Sequence, residues 1–270
     1  MVIEVKNVQK QNIDISVGNT RAQNVNVEQD VYVLIPDGYI QPSGTLDIVE
    51  NGTQDVTEFA SVNVNVPVPV DTRFYDILKD EMTELNDGEI TSIRQYAFYG
   101  SATLKTVYLP NLTEIPTYLF YSCTGLETVD LPRATGRLGN GAFQKCTKLK
   151  NVNIPNITGF VNYAFAGCTE LEILDLSEKF SAFGGGAALS SCPKLVALIL
   201  RRTASIVTLG NKNNLSDSAI ANGTGHIYVP RALVASYQSN TNWSTYPRFR
   251  ALEDYTVDGT TTGALDMSKI

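Results

Sequence analysis

Apolar and polar positions between Ile90 and Leu200 follow a single pattern that is written five times. Aligned, the copies read ITSIRQYAFYGSATLKTVYLP, LTEIPTYLFYSCTGLETVDLP, ATGRLGNGAFQKCTKLKNVNIP, ITGFVNYAFAGCTELEILDLS and FSAFGGGAALSSCPKLVALIL. An anchor recurs at Phe98, Phe120, Phe143, Phe165 and Leu189, in steps of 22, 23, 22 and 24 residues. Six residues on stand Leu104, Leu126, Leu149, Leu171 and Leu195. Nine on stand Val107, Val129, Val152, Leu174 and Leu198, and eleven on Leu109, Leu131, Ile154, Leu176 and Leu200. The closing alternation predicts one short strand per copy, Lys105–Leu109 in the first, with the anchor on the arm that returns to the next strand. A single copy cannot bury its own apolar face, so the copies must stack, each against its neighbours. Burying one anchor phenyl ring contributes roughly 1.5–3 kcal/mol.

The flanks follow other patterns. In residues 1–66, Val25 and Val27 alternate with Asn24 and Asn26, and Val62, Val64 and Val66 with Asn63 and Asn65, which predicts half-buried strands. Asn51-Gly52 is a hairpin signal, and IDISVGNTRAQNVNV and LDIVENGTQDVTEFASVNVNV are loose copies of one hairpin-plus-strand design. This segment has few aromatics (Tyr32, Tyr39, Phe59), so its core is thin and its strand edges are pairing templates. It is expected to be an attachment or assembly module. Residues 67–71 (Pro67-Val68-Pro69-Val70 and Asp71) form an extended linker, and 72–89 a helical cap with Phe74, Ile77, Leu78, Met82 and Leu85 on one face. The repeat solenoid is expected over 90–230. After Leu200 the period breaks in a polar loop over 203–225, and His226–Pro230 restores the strand pattern. Residues 231–255, with a short helix in ALVASYQ and the aromatics Trp243, Tyr246 and Phe249, form the C-terminal cap that a solenoid end requires. The tail, 256–270, is polar and aperiodic, so order there needs the solenoid, a neighbouring chain or a larger assembly to hold it.

Outward residues of the predicted strands line up in columns. One holds Tyr108, Asp130, Asn153, Asp175 and Ile199, continued by Tyr228 in the restored strand. Another holds Lys105, Glu127, Lys150 and Glu172 and alternates in charge, which serves register and solubility. Tyr108, Asp130, Asn153, Asp175 and Tyr228, with the 203–225 loop, are the candidate binding surface. The four cysteines, Cys123, Cys146, Cys168 and Cys192, each follow an anchor by three residues, with Ser101 in the first copy. That regularity predicts a row of buried, reduced thiols rather than a disulfide framework, and paired C-x-x-C spacing for zinc is missing.

Composition narrows the chemistry. A net charge of -7 and a pI of about 4.8 argue against a nucleic-acid footprint. No apolar run reaches the ~20 residues of a membrane span, and MVIEVKNVQKQNID lacks the apolar core of a signal peptide. His226 is the sole histidine, and no cysteine lies near it on the repeat map. No nucleotide-binding loop, zinc-protease motif or calcium loop is written in the chain. No catalytic residue, metal ligand or cofactor is expected, and the chain is expected to be non-enzymatic.

The Y-A-F-x-x-C-T-x-L-x-x-V-x-L-P wording, over roughly Ile90 to Pro230, resembles the BspA-like leucine-rich repeats of bacterial surface proteins and of bacteriophage or prophage proteins. The resemblance implies an α/β solenoid of the leucine-rich-repeat type, preceded here by a small all-β N-terminal domain. GTLDIVENGTQDVTEFASVNVNVP (Gly44 to Pro67) resembles a short β module of phage tail and other prophage structural proteins. The Y-V-P-x-A-L-V-x-x-Y…N-W-S-x-Y wording resembles the closing segment of phage BspA-like proteins. These resemblances imply a virion structural protein, a tail, fibre or head-decoration component assembled in the host cytoplasm. Other virion proteins would be partners of the N-terminal module, a host-surface protein or glycan the partner of the solenoid, and the chain a homo-oligomer. The alternative they leave is a bacterial cell-surface adhesin.

Overall fold

The computed structural model describes residues 82–270 and, before them, six strands. The chain divides into two compact units, Met1–Phe74 and Tyr75–Ile270. Strands β1 (Val2–Val5), β2 (Asn12–Val17), β3 (Thr20–Asn26), β4 (Val31–Leu34), β5 (Thr45–Glu50) and β6 (Val62–Asn63) lie in the first unit. There β1 pairs antiparallel with β4, and a second antiparallel sheet runs β3-β2-β5-β6. The expected Asn51-Gly52 turn, the 67–71 linker and residues 72–81 of the expected helical cap lie outside the described residues.

In the second unit the stacked copies form coils with two faces. The front carries β7 (Glu84–Asn86), β8 (Thr106–Tyr108) and β9 (Thr128–Asp130); β10 (Gly136–Leu138) belongs to the back. After β11 (Asn151–Asn153) front and back alternate: β12 (Ile157–Phe160), β13 (Ile173–Leu176), β14 (Ala182–Phe183), β15 (Ala197–Leu200) and β16 (Thr208–Leu209). The front ends with β17 (His226–Val229) and β18 (Phe249–Ala251). All pairings here are parallel: β7-β8-β9-β11 and β13-β15-β17-β18 in front, β10-β12-β14-β16 behind. The front sheet is therefore interrupted between β11 and β13. Across that seam the Glu170 N–H donates to the Thr147 carbonyl at 3.1 Å. Val152, at the seam, is only half-buried, whereas its counterparts Val129 and Leu174 are 1% and 0% exposed.

The anchors behave as their spacing predicts. Phe98, Phe120, Phe143 and Phe165 are fully buried, and their rings stack with centroids 5.5, 5.4 and 5.0 Å apart. The thiols stack beside them, all free and buried. Each donates to the carbonyl of the anchor one coil back: Cys123 to Phe98 at 2.9 Å, Cys146 to Phe120 at 3.0 Å, Cys168 to Phe143 at 3.2 Å and Cys192 to Phe165 at 3.3 Å. A small side chain with a weak donor thus satisfies a carbonyl that the turn leaves inside the core. A further apolar row closes the back: Ile93, Ile115, Leu138, Phe160, Phe183 and Leu209, all buried.

Three expectations change. The end of the expected helical cap is a strand, because Leu85 occupies the place of Val107 in an earlier coil and pairs with it in β7–β8. The return arms are not helices, so the solenoid is built of strands and turns rather than α/β units. Each arm bends through residues of positive φ, two before the anchor (Tyr96, Tyr118, Gly141, Tyr163, Ala187) and two after it (Gly100, Ser122, Lys145, Gly167, Ser191, Asp217). A helix cannot pass through such residues. The 203–225 stretch is a full sixth coil: β16 joins the back sheet, Leu215 is the buried anchor, and buried Ser218 takes the cysteine place. Asn214, buried before that anchor, accepts from the Ala188 N–H at 3.0 Å and donates to the Gly184 and Asn211 carbonyls. The cap over 231–255 holds helix α1 (Val234–Ser239) and a ring cluster in which the Tyr237 hydroxyl accepts from the Val207 N–H and Trp243 Nε1 donates to the Val207 carbonyl.

Finally, the tail is held by the solenoid. Arg201 makes a bidentate pair with Asp175, both contacts 2.7 Å, and its third nitrogen donates to the Thr261 and Gly263 carbonyls at 2.6 and 3.0 Å. Leu265 and Ile270 pack on Ala197, Ile199, Tyr228 and Leu252 of the front face.

Candidate functional site: a tyrosine face on the return arms

The expected display column divides in two. Tyr108 (42% exposed), Asp130 and Asn153 lie on the open half of the front sheet, where Asn153 Nδ2 donates to Asp130 at 2.7 Å. Asp175 and Tyr228 do not join them. Asp175 is engaged by Arg201, and Tyr228 is 3% exposed beneath the tail, with the Tyr255 ring edge-on at 4.8 Å. The outward direction of Tyr228 is correct, but the tail supplies the apolar cover that its ring and Ile199 would otherwise lack. His226 lies beside Arg250, whose nitrogen is 3.3 Å from Nε2; burial first, then Arg250 and Arg248, hold the imidazole below its usual pKa. Burial pushes the Cys146 and Cys168 thiols well up, and Cys192 to about 12, so none is a ready nucleophile. Among the described residues no cluster of three or more His, Cys, Asp or Glu side chains is placed to hold a metal, and no helix is long and apolar enough to cross a membrane.

Among the described residues, the densest exposed aromatic surface is elsewhere, on the return arms. Tyr96, Tyr118 and Tyr163 occupy the position two before the anchor, and Tyr99 and Tyr121 the position one after it. Tyr96 stacks on Tyr118 with centroids at 5.2 Å, Tyr99 on Tyr121 at 4.9 Å, and Tyr118 meets Tyr121 edge-on at 5.5 Å. The Lys145 ammonium lies over the Tyr121 ring, 5.6 Å from its centroid. With Gln144 and Tyr163 these rings line a shallow hollow of about 400 Å³. Tyr96, Tyr99 and Tyr163 are 41%, 43% and 44% exposed.

The backbone makes this placement costly. Tyr96, Tyr118 and Tyr163 have φ of 65°, 54° and 57°, where a side chain other than glycine's costs about 1–2 kcal/mol. Gly141 (φ 57°) shows the relaxed alternative in the same row. Its missing side chain leaves room for Tyr118: a Cβ there would meet Tyr118 Cε1 at 2.5 Å. Three tyrosines kept where glycine is easier, with their rings half in water, are not explained by the core. The sequence shows them as the Y of QYAF, TYLF and NYAF, but only the left-handed turn tells which way they point.

A stack of parallel-strand coils with a side-chain ladder inside and a variable aromatic face outside defines a repeat protein of the solenoid class. The family model described as a BspA type leucine rich repeat region matches residues 71–211 in 6 copies, and the chain belongs to that family. Among solved structures, the pneumococcal vaccine antigen PcpA aligns with 18% identity over 63% of this chain and 41% of its own, at a TM-score of 0.50. A leucine-rich cell surface protein of Faecalibacterium prausnitzii aligns with 19% identity over 55% and 48%, at a TM-score of 0.42. The T. pallidum leucine rich repeat protein aligns with 22% identity over 54% and 61%, at a TM-score of 0.37. The chain thus spans less than two thirds of each of these structures. No characterised protein sequence matches it.

Proposed function

We propose that the chain is a non-enzymatic recognition protein whose solenoid presents its tyrosine face to a surface partner while the N-terminal strands attach it to a carrier. The observation that carries this is the tyrosine row itself: bulky, half-exposed rings held on left-handed backbone around one hollow. Tyrosine suits such a role because it offers large rigid contact area with a polar tip and little entropy to lose. The rigid stack lets these outward residues vary without disturbing the ladder inside.

Two carriers fit. An adhesin-like role at a bacterial surface accords with the fold shared with PcpA, which is named as a vaccine antigen. A place on a phage-type particle, as a tail, fibre or head-decoration component, accords with the likeness of Gly44–Pro67 to phage structural modules. In that case other virion proteins and further copies of this chain are the partners of the N-terminal strands. Sedimenting a culture that produces the protein separates the two: antibody signal travels with particles in one case and with cell envelopes in the other.

Recognition is tested with labelled full-length chain on intact cells of the bacterium that encodes it. Tyr118→Ala/Tyr163→Ala should weaken attachment at least tenfold, while Tyr108→Ala/Asp130→Ala should leave it unchanged. Attachment that survives the tyrosine changes would refute the assignment of this face.

A further inference from the structure

We infer that the hollow takes an uncharged polysaccharide of sugars with equatorial hydroxyls, one sugar ring lying on the exposed ring of Tyr163; this rests on the recognition role proposed above. The lining residues Tyr96, Tyr99, Tyr118, Tyr121, Gln144 and Tyr163 include no charged group. The Lys145 ammonium lies over the Tyr121 ring. A second hollow, beside Thr147, Lys148 and Glu170, differs in being lined by charges, with Glu170 paired to Lys194 at 2.7 Å.

Within the tyrosine row, Tyr163 is set apart. Its neighbours one coil either side are Gly141 and Ala187, so no aromatic ring stands next to it in the row, whereas Tyr96 and Tyr118 cover one another. The Tyr118 ring leans into the space over Gly141, so the place left for a ligand is the Tyr163 ring itself, 44% exposed. The face of an aromatic ring is electronegative. A sugar with equatorial hydroxyls presents a face of axial C–H groups, polarised by the neighbouring oxygens, that suits such a surface. Around that place stand groups that both give and take hydrogen bonds. Asn140 Nδ2 donates to the Tyr118 oxygen at 2.9 Å, which leaves the Tyr118 proton free for a ligand, and the Gln144 carboxamide lines the same hollow. Sugar hydroxyls need this mixture. A proline-rich peptide offers mainly carbonyl acceptors and would be met by donors alone. A volume near 400 Å³ lies within the usual range for small-ligand sites of about 300–1,000 Å³.

The test is calorimetric titration of the full chain with cellotetraose, tetra-N-acetylchitotetraose and a proline decapeptide. At least one sugar should bind with a millimolar or lower Kd. Tyr163→Ala should weaken it at least tenfold, and Tyr163→Phe, which keeps the ring, less than threefold, with thermal unfolding of both variants confirming an intact fold. The inference is overturned by silence of both sugars at about 10 mM, by binding indifferent to Tyr163→Ala, or by capture of the decapeptide instead. Sugar failure with cell attachment still dependent on the tyrosines removes the ligand class alone. Loss of that dependence removes the recognition role as well.

Discussion

Replacing Phe143 by alanine tests the ladder at its centre. The ring is 0% exposed and sits between Phe120, 5.4 Å away at 13°, and Phe165, 5.0 Å away at 9°. Truncating a buried phenylalanine costs about 3–5 kcal/mol through lost transfer energy and the cavity left behind. Both aromatic neighbours lose a partner, each pair being worth about 0.5–1.5 kcal/mol beyond burial. Backbone hydrogen bonds hold the coils on both sides, with Phe120 N–H donating to Ala142 and Phe143 N–H to Ala164, each at 2.8 Å, so collapse into the cavity is limited. The loss should therefore fall in the upper half of that range, about 4–5 kcal/mol. For a unit of this size that lowers Tm by about 8–20 °C. Urea unfolding followed by circular dichroism measures it. A loss below about 1.5 kcal/mol, the cost of a minor core change, would show that the rings do not bear on one another as described.

Other outcomes follow from the same contacts. The four thiols should resist a disulfide-exchange reagent at pH 8 in the native protein and react fully in denaturant; rapid native reaction would contradict their burial. Because burial raises the folded pKa values of Cys146, Cys168 and Cys192, the last to about 12, the folded state keeps protons that the unfolded state releases. Stability should then be fully present below the ordinary thiol value of 9.0 and fall as pH rises from there toward 12, as unfolding midpoints across that span would show. Arg201→Ala should cost about 1–3 kcal/mol, since its guanidinium is largely buried while Asp175 remains a third exposed. It should also speed amide exchange over 256–270; unchanged exchange there would mean that the arginine does not hold the tail.

Much of the second unit was legible in advance because its register is written redundantly. A phenylalanine and a cysteine three residues later, repeated coil after coil, leave one way to stack. The sixth coil is masked in the sequence because its anchor step lengthens to 26 residues, from Leu189 to Leu215, and serine replaces cysteine amid asparagines. Those polar side chains turn inward: Asn214 donates to the Asn211 carbonyl of its own turn and to Gly184 of the preceding coil, and Ser218 donates to the Leu215 carbonyl. The back row at Ile93, Ile115 and Leu138 was visible in the aligned copies, but its strands are too short to show alternation. Which face is displayed was not legible at all. That depends on positive φ at Tyr96, Tyr118 and Tyr163, and on a polar tail whose carbonyls find Arg201 sixty residues upstream.

The seam between β11 and β13 bears on how such a chain can change its length over generations. Elsewhere, a duplicated or deleted coil must rejoin front strands, back strands and the phenyl stack at once. At the seam the front-strand demand is already lifted, leaving the rear ladder, the arm hydrogen bonds and the ring contact of Phe143 with Phe165 to be remade. Gain or loss of a coil is least costly there, so descendants of this gene should differ in coil number first at residues 150–172.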